Sequence, residues 1–177
     1  MKAHDYTAAA LTRALPWLLI GTLACASEVA DDPFGFATGP LMKPGDNCLR
    51  CHRSERSDYP SAPPWTAAGT VFPGPDSPTS DGVPGVRVLL QDAQGDLLEQ
   101  LTTNEVGNFY TGRPLPAGFR VALEYEDARI EMPCAPPAGN CGACHANPPV
   151  GGTRGRIFLP QAPEAEQVGT TCNGFGP

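Results

Sequence analysis

Two short motifs hold the side chains of this chain whose types and spacing could do chemistry. Residues 48–52 read Cys-Leu-Arg-Cys-His, and residues 141–145 read Cys-Gly-Ala-Cys-His. In a C-x-x-C-H motif each thiol can form a thioether with one vinyl group of a porphyrin, and the adjacent imidazole can bind the iron. The chain has 3 histidines, and two of them stand at this position. The motifs predict two covalently attached c-type haems, held by Cys48, Cys51, His52, Cys141, Cys144 and His145.

The same cysteine pairs allow two other interpretations. Four cysteines in two pairs can bind one zinc ion, although a zinc ribbon needs no histidine after each pair and usually has a much shorter separation between the pairs. Each pair could instead close a local disulfide in an exported protein. A thioredoxin-like redox pair needs a β-α-β context, which the sequence lacks. The histidines favour haem, and zinc and disulfides stay open as alternatives.

Two methionines are candidates for the remaining axial position of the irons. A low-spin electron carrier has a sixth ligand, and no histidine is left for it, because His4 lies in a segment that we expect to be removed. Methionine is the other common ligand and gives a higher potential than a second histidine. Met42 and Met132 each lie a few residues before a motif. The predicted metal ligands are therefore His52, His145, Met42 and Met132, unless the methionines are ordinary loop and core residues.

The first 25 residues have the features of an export leader. Their apolar run, Leu15 to Ala24, is too short to span a bilayer as a stable helix. It ends at Cys25, which predicts lipoprotein processing with an acylated cysteine, although Thr22 stands where that pattern prefers leucine. Ordinary cleavage at a small residue is the alternative. We therefore expect an extracytoplasmic protein, in the periplasm or at the outer membrane or cell surface, with a lipid anchor on Cys25.

Composition limits the partners and the type of fold. The net charge of −7 argues against nucleic acid as a partner. Glycine and proline are abundant, with 20 and 21 residues, and charged residues make up only 18%. This composition is typical of turns and short strands rather than of long helices.

Alternation and turn residues divide the chain into segments. From residue 68 to residue 132, six short runs of alternating polarity are separated by glycine-rich turns, which predicts a mainly β fold with a small antiparallel β-sandwich. An even number of alternating strands also predicts that the two flanking haem segments are neighbours. The predicted segments are a signal peptide (1–25), a flexible tether (26–44), a first haem segment (45–67), the sandwich (68–132), a second haem segment with a closing strand (133–160) and a tail (161–177).

The middle segment resembles a known family of β-sandwich domains. Residues 69–71, 82–88, 102–104, 107–109 and 115–121 look like the turn and core positions of carboxypeptidase regulatory-like, or transthyretin-like, domains. This resemblance implies a transthyretin-like or immunoglobulin-like sandwich and, because such domains are usually non-catalytic, no enzyme activity. The C-x-x-C-H motifs separately resemble those of c-type cytochromes. That second resemblance implies electron transfer and haem attachment outside the cytoplasm.

The remaining cysteines predict one disulfide. Of the 7 cysteines, four belong to the motifs and Cys25 to the lipid anchor or the discarded leader. Cys134 and Cys172 are left, and in an oxidising compartment they most simply pair with each other.

Four further side chains are candidates for contact with a porphyrin. Arg154 and Arg156 could pair with its propionates, since guanidinium suits a carboxylate, or they could be solvated. Trp65 and Tyr59 could cover a porphyrin face, or they could be ordinary core residues.

Taken together, the residues and the two resemblances predict an exported dihaem c-type cytochrome that exchanges single electrons with redox partner proteins. The alternative is a non-haem, cell-surface β-sandwich that binds or supports a partner, with its cysteine pairs in disulfides or on zinc. A dihaem peroxidase is disfavoured because no spare histidine remains for acid–base work near an open iron.

Overall fold

The computed structural model describes residues 39–54 and 62–159, which fall within one structural unit of the chain, residues 31–177. The predicted signal peptide, the acylation site Cys25, Tyr59, Cys172 and the tail lie outside the described residues. The elements are a 3-10 helix at Cys48–Arg50, then β1 (Ala67–Phe72), β2 (Arg87–Gln91), β3 (Leu97–Thr102), β4 (Asn108–Thr111), β5 (Arg120–Tyr125), β6 (Ala128–Glu131), β7 (Gly139–Asn140), α1 (Cys141–Cys144) and β8 (Ile157–Phe158).

The strands form two sheets. One has the order β3-β2-β5-β6 and is antiparallel throughout. The other is built on β1, which pairs with β4 in antiparallel and with β7 and β8 in parallel. All six strands expected between residues 68 and 132 are present. The two short parallel strands come from the second haem segment, so that segment is part of the first sheet.

Both sheets contribute to one hydrophobic core. Val88, Leu90 and Leu123 come from the antiparallel sheet, while Val71 and Phe109 come from the other sheet. These side chains are buried because they occupy the inward positions of strands whose alternate residues face away. The predicted mainly β fold with an antiparallel-rich sandwich is confirmed.

Strand β1 is buried along its whole length, unlike the other strands. Ala67 and Val71 belong to the core between the sheets. On the opposite face, Thr70 accepts a hydrogen bond from the Gly45 N–H at 2.8 Å, and the ring of Phe72 lies under the guanidinium of Arg156. A strand covered on both faces shows no polar alternation, which explains its sequence of small and apolar residues.

Within the described part of the chain, no helix is long and apolar enough to cross a membrane.

Candidate functional site

Each C-x-x-C-H motif folds as a single helical turn. In the first, the side-chain oxygen of Asn47 accepts a hydrogen bond from the Arg50 N–H at 3.0 Å and so caps the 3-10 helix. In the second, the N–H of His145 donates to the carbonyl of Cys141 at 2.9 Å. Residues three and four apart share one face of a helical turn. Each motif therefore places its two thiols and its imidazole on one side.

The imidazole of His52 is fixed by a hydrogen bond and a ring contact. The side chain is 7% exposed, and its Nδ1 lies 2.9 Å from the carbonyl oxygen of Pro63. The ring stacks on the indole of Trp65, with centroids 3.5 Å apart and planes 4° from parallel. Because a carbonyl oxygen can only accept, Nδ1 carries the proton, and Nε2 keeps its lone pair for another group.

Trp65 is the middle ring of a stack of three. Its indole also stacks on Tyr110, with centroids 4.2 Å apart. Two rings cannot lie side by side on one face at such short centroid distances, so His52 and Tyr110 cover opposite faces of Trp65. Trp65 therefore has no free face for a porphyrin. Of the two expectations for this residue, packing against the protein is the one that the structure supports.

The second histidine repeats the arrangement of the first. The Nδ1 atom of His145 lies 3.0 Å from the carbonyl oxygen of Gly155. Burial lowers the pKa of His145, and the hydrogen bond with Gly155 opposes that change in part. A neutral imidazole is the form that binds a metal. Both motif histidines thus have the tautomer that leaves Nε2 available.

A cavity of about 600 Å³ lies beside the second motif. It is the size of many cofactor pockets, and most of its lining is apolar. Phe109, Val121, Leu123 and Ile157 supply much of that lining. Seven residues singled out from the sequence also line it: Met132, Cys134, Cys141, Cys144, His145, Arg154 and Arg156.

Two polar atoms of the cavity lining are buried and unpaired. The Nε of Arg156 and the side-chain oxygen of Asn140 have no hydrogen-bond partner among the described residues. Arg156 is 9% exposed, and its guanidinium carbon lies 4.4 Å from the centre of the Phe72 ring. Arg154, by contrast, is exposed. Of the two arginines, Arg156 is the one whose buried Nε–H lacks a hydrogen-bond acceptor among the described residues.

The two motifs are in contact with each other. The backbone of Gly142, inside the second motif, packs so closely on Asp46 that a Cβ at Gly142 would overlap the Asp46 carbonyl oxygen. Strand β7 leads into the second motif and pairs with Ala67 and Ala68, at the start of the strand that follows the first motif. The prediction that the two segments are neighbours is confirmed.

The loop before the first motif is held by buried polar groups. The hydroxyl of Thr70 donates to the side-chain oxygen of Asn108 at 2.7 Å, and the Asn108 amide donates to the carbonyl of Met42 at 2.9 Å. The amide of Asn104 bonds the carbonyl of Pro40 at 2.6 Å. Residues 40–42, at the end of the predicted tether, are thus tied to the sandwich. Of the two methionines predicted as iron ligands, Met42 has its main chain held by the hydrogen bond from Asn108, whereas Met132 lines the cavity.

The four motif cysteines are free thiols. Burial is the largest cause that raises the pKa of Cys48 to about 11, with smaller increases from Asp46 and Cys51. Burial likewise raises the pKa of Cys141 to about 12, followed by the charge of Cys48. The influence of Cys48 on Cys141 agrees with the contact between the motifs.

Two further observations concern the other cysteine predictions. Cys134 is disulfide-bonded. Its predicted partner, Cys172, lies outside the described residues, so this pairing stays a prediction. Across residues 39–54 and 62–159, no group of three or more histidine, cysteine, aspartate or glutamate side chains could hold a metal ion. The four-cysteine zinc arrangement therefore gains no support from the structure.

Sequence reasoning missed several residues that shape the site. The carbonyls of Pro63 and Gly155 lie eleven and ten residues after their histidines, and any residue type can supply a carbonyl. The contact of Gly142 depends on the loop before the first motif and leaves no local pattern. Asn140 differs from these residues because its polar side chain stands directly before Cys141, which is a signal that the sequence does contain.

The chain matches no family model, no curated protein and no solved structure.

Proposed function

We propose that this protein is an exported dihaem c-type cytochrome that transfers single electrons and is not an enzyme. One haem would be attached to Cys48 and Cys51 with His52 as the iron ligand. The other would be attached to Cys141 and Cys144 with His145 as the ligand. The main support for the proposal is the arrangement of the two histidines. In each, Nδ1 carries the proton and faces a backbone carbonyl oxygen.

A ligand histidine in a metalloprotein usually donates its second ring N–H to a backbone carbonyl or a carboxylate, which orients the ring and makes the ligating nitrogen more basic. His52 and His145 both place Nδ1 within hydrogen-bond distance of a backbone carbonyl, at 2.9 and 3.0 Å. Each carbonyl lies in the irregular chain that follows its own motif. The two sites have unrelated surroundings, so the shared arrangement supports a shared role for Nε2.

The cavity beside the second motif suits a porphyrin in volume and in polarity. Its apolar lining suits the ring, and Cys141, Cys144 and His145 are among the residues that line it. The unpaired Nε of Arg156 suits a propionate, because a buried donor needs an acceptor and a guanidinium binds carboxylate strongly. When bound, the haem supplies the one-electron couple of its iron.

The protein's own part is to hold, orient and cover the group. Met132 lines the same cavity as His145 and would be the second protein ligand of that iron. Met42 is the candidate for the first iron. The stack of Trp65 and Tyr110 on His52 fixes the orientation of that imidazole.

The cellular setting is part of the proposal. Attachment of haem to C-x-x-C-H motifs fits an extracytoplasmic protein, and acylation of Cys25 would anchor it to a membrane next to its redox partner proteins. The transthyretin-like resemblance fits a sandwich that serves as a rigid support.

The second candidate, a non-haem binding or structural module, has no specific observation in its favour. Its cysteine pairs would be disulfides or zinc ligands. The motif cysteines are free thiols, and the described chain has no three-residue metal group.

The proposal is tested by expressing the full chain with and without c-type haem attachment machinery. Purified protein is measured by its haem absorbance in alkaline pyridine and by haem staining on a denaturing gel. Two haems per chain are expected, with one left in each of the double variants Cys48→Ala/Cys51→Ala and Cys141→Ala/Cys144→Ala. Colourless, unstained protein from cells that mature a known c-type cytochrome would refute it.

A further inference from the structure

The contact between the two motifs depends on a residue inside the second one. Gly142 is buried, and its Cα faces the backbone of Asp46 and Asn47, two residues that lead directly into the first motif. A Cβ at this position would overlap the Asp46 carbonyl oxygen and would lie 3.4 Å from the Cα of Asn47. Because the obstacle is backbone, it cannot be relieved by a rotamer change. Any side chain at Gly142 must push the motifs apart.

Two other glycines bring the second motif close to β1. A Cβ at Gly69 would lie 3.0 Å from the Cβ of Cys141 and 2.8 Å from the ring of Phe109. A Cβ at Gly139 would overlap the backbone of Thr66. The strand after the first motif and the strand before the second are therefore packed at backbone distance.

Arg156 makes a second tie between the segments. Its guanidinium lies over Phe72 and touches Gly45, which has φ +81° and no room for a side chain. The loop that leads into the first motif thus contacts the second haem segment at two places, through Gly142 and through Arg156.

We propose that Gly142 is a positioning residue that holds the two attachment sites in contact, so that the two haems form one coupled pair rather than two independent carriers. This inference rests on the proposed function. Coupling means that one electron passes from a ferrous iron to the other, ferric iron. The oxidation states are exchanged, and no proton or outside reagent takes part.

The positioning role can be tested in the haem-free full chain. In a Cys51→Ser/Cys144→Ser background, Cys48 and Cys141 are the motif thiols that remain, and a short reagent with two maleimide groups should link them. The linked peptide is identified by mass spectrometry after digestion. Its yield is counted as a fraction of the chains that carry the reagent after long incubation, because burial makes both thiols slow to react in the folded chain. Adding Gly142→Ala should reduce the yield to that of the same chain unfolded in urea.

The matched control is Gly74→Ala, where the new Cβ would meet only the Ser77 hydroxyl at 3.5 Å, an ordinary contact. It should keep the cross-linking yield of the background chain. Equal yields for Gly142→Ala and Gly74→Ala would overturn the positioning role. So would a background yield no higher than that of the unfolded chain.

Coupling is tested in the haem-loaded protein by circular dichroism in the main haem absorption band. The wild-type spectrum should differ from the sum of the two single-haem variants, Cys48→Ala/Cys51→Ala and Cys141→Ala/Cys144→Ala. It should contain a pair of bands of opposite sign that Gly142→Ala removes. If Gly142→Ala does not fold, the comparison with the summed spectra still decides.

The outcomes separate the two proposals. Two attached haems whose spectra and redox titrations equal the sum of the single-haem variants would overturn the coupled pair and leave the proposed function standing. Failure to attach any haem would refute the proposed function itself. The cross-linking experiment on the haem-free chain would still test whether the two motifs are in contact.

Discussion

Replacing Arg156 with methionine should have different consequences in the haem-free and in the haem-loaded protein. The side chain is 9% exposed, its Nε is unpaired within the described chain, and its guanidinium carbon lies 4.4 Å from the centre of the Phe72 ring. Methionine is flexible and can fill the irregular space that the arginine leaves. The substitution thus removes charge and donors without opening a large cavity.

The magnitudes follow from these contacts. In the haem-free protein, removal of an unpaired buried donor stabilises by about 1–3 kcal/mol, and loss of the contact with Phe72 destabilises by about 1–2 kcal/mol. The free energy of unfolding should therefore change by between about −1 and +2 kcal/mol. In the haem-loaded protein, the donor would be paired with a propionate, so the variant should lose about 2.5–5 kcal/mol.

Urea unfolding of both forms measures the difference, with Arg154→Met as the control. Arg154 also lines the cavity but is exposed, so its substitution should change either form by less than about 0.5 kcal/mol. Equal destabilisation of both forms by Arg156→Met would show that the guanidinium has only a structural role, and would refute the reasoning.

Three other perturbations have defined outcomes. Met132→Ala should change the absorption of one haem in the ferric state while Met42→Ala changes the other, and unchanged spectra in both would end the assignment of methionine ligands. In haem-free protein, Cys48 and Cys141 have pKa values raised to about 11 and about 12 from an ordinary 9.0. The stability that these neutral thiols contribute is complete below pH 9 and is lost as the pH rises towards 12. Urea unfolding at increasing pH should show this fall in the free energy of unfolding, and the fall should be smaller in Cys48→Ala/Cys141→Ala. Trp65→Leu should lower the free energy of unfolding by about 2 kcal/mol, because it removes two ring contacts, and an effect below about 0.5 kcal/mol would contradict the importance of the stack.

The sandwich was predictable because its information is local. In β2 and β5 every second side chain packs on the core, Val88 and Leu90 from the one strand and Val121, Leu123 and Tyr125 from the other, and turn residues separate the strands. The side chain of Asn104, for example, accepts hydrogen bonds from the N–H groups of Val106 and Asn108 and so shapes the turn before β4. Such patterns are visible in a sequence.

The parts that were not predicted depend on distant partners. Strands β7 and β8 have two residues each and exist because they pair in parallel with β1. A two-residue strand has no periodicity of its own. Only one closing strand was expected after the sandwich, and β8 meets that expectation, while β7 was missed.

The candidate site could be predicted in its residue types but not in its geometry. The motifs identified the thiols and imidazoles, and the sequence also named Met132 and Arg156, which line one cavity with the second motif. It left open whether Trp65 faces a porphyrin or the protein. The carbonyl partners of the histidines and the contact at Gly142 are backbone features, so they depend on the folded chain rather than on residue type.

The most direct test of the central claim is the intact mass of the mature protein, made in cells that attach c-type haem. The account predicts the mass of the processed polypeptide with its lipid on Cys25 plus two haems, and Cys141→Ala/Cys144→Ala should have one haem less. The haem mass persists in denaturant because the bonds are covalent. A mass without any haem, or with a metal ion that denaturant removes, would contradict it.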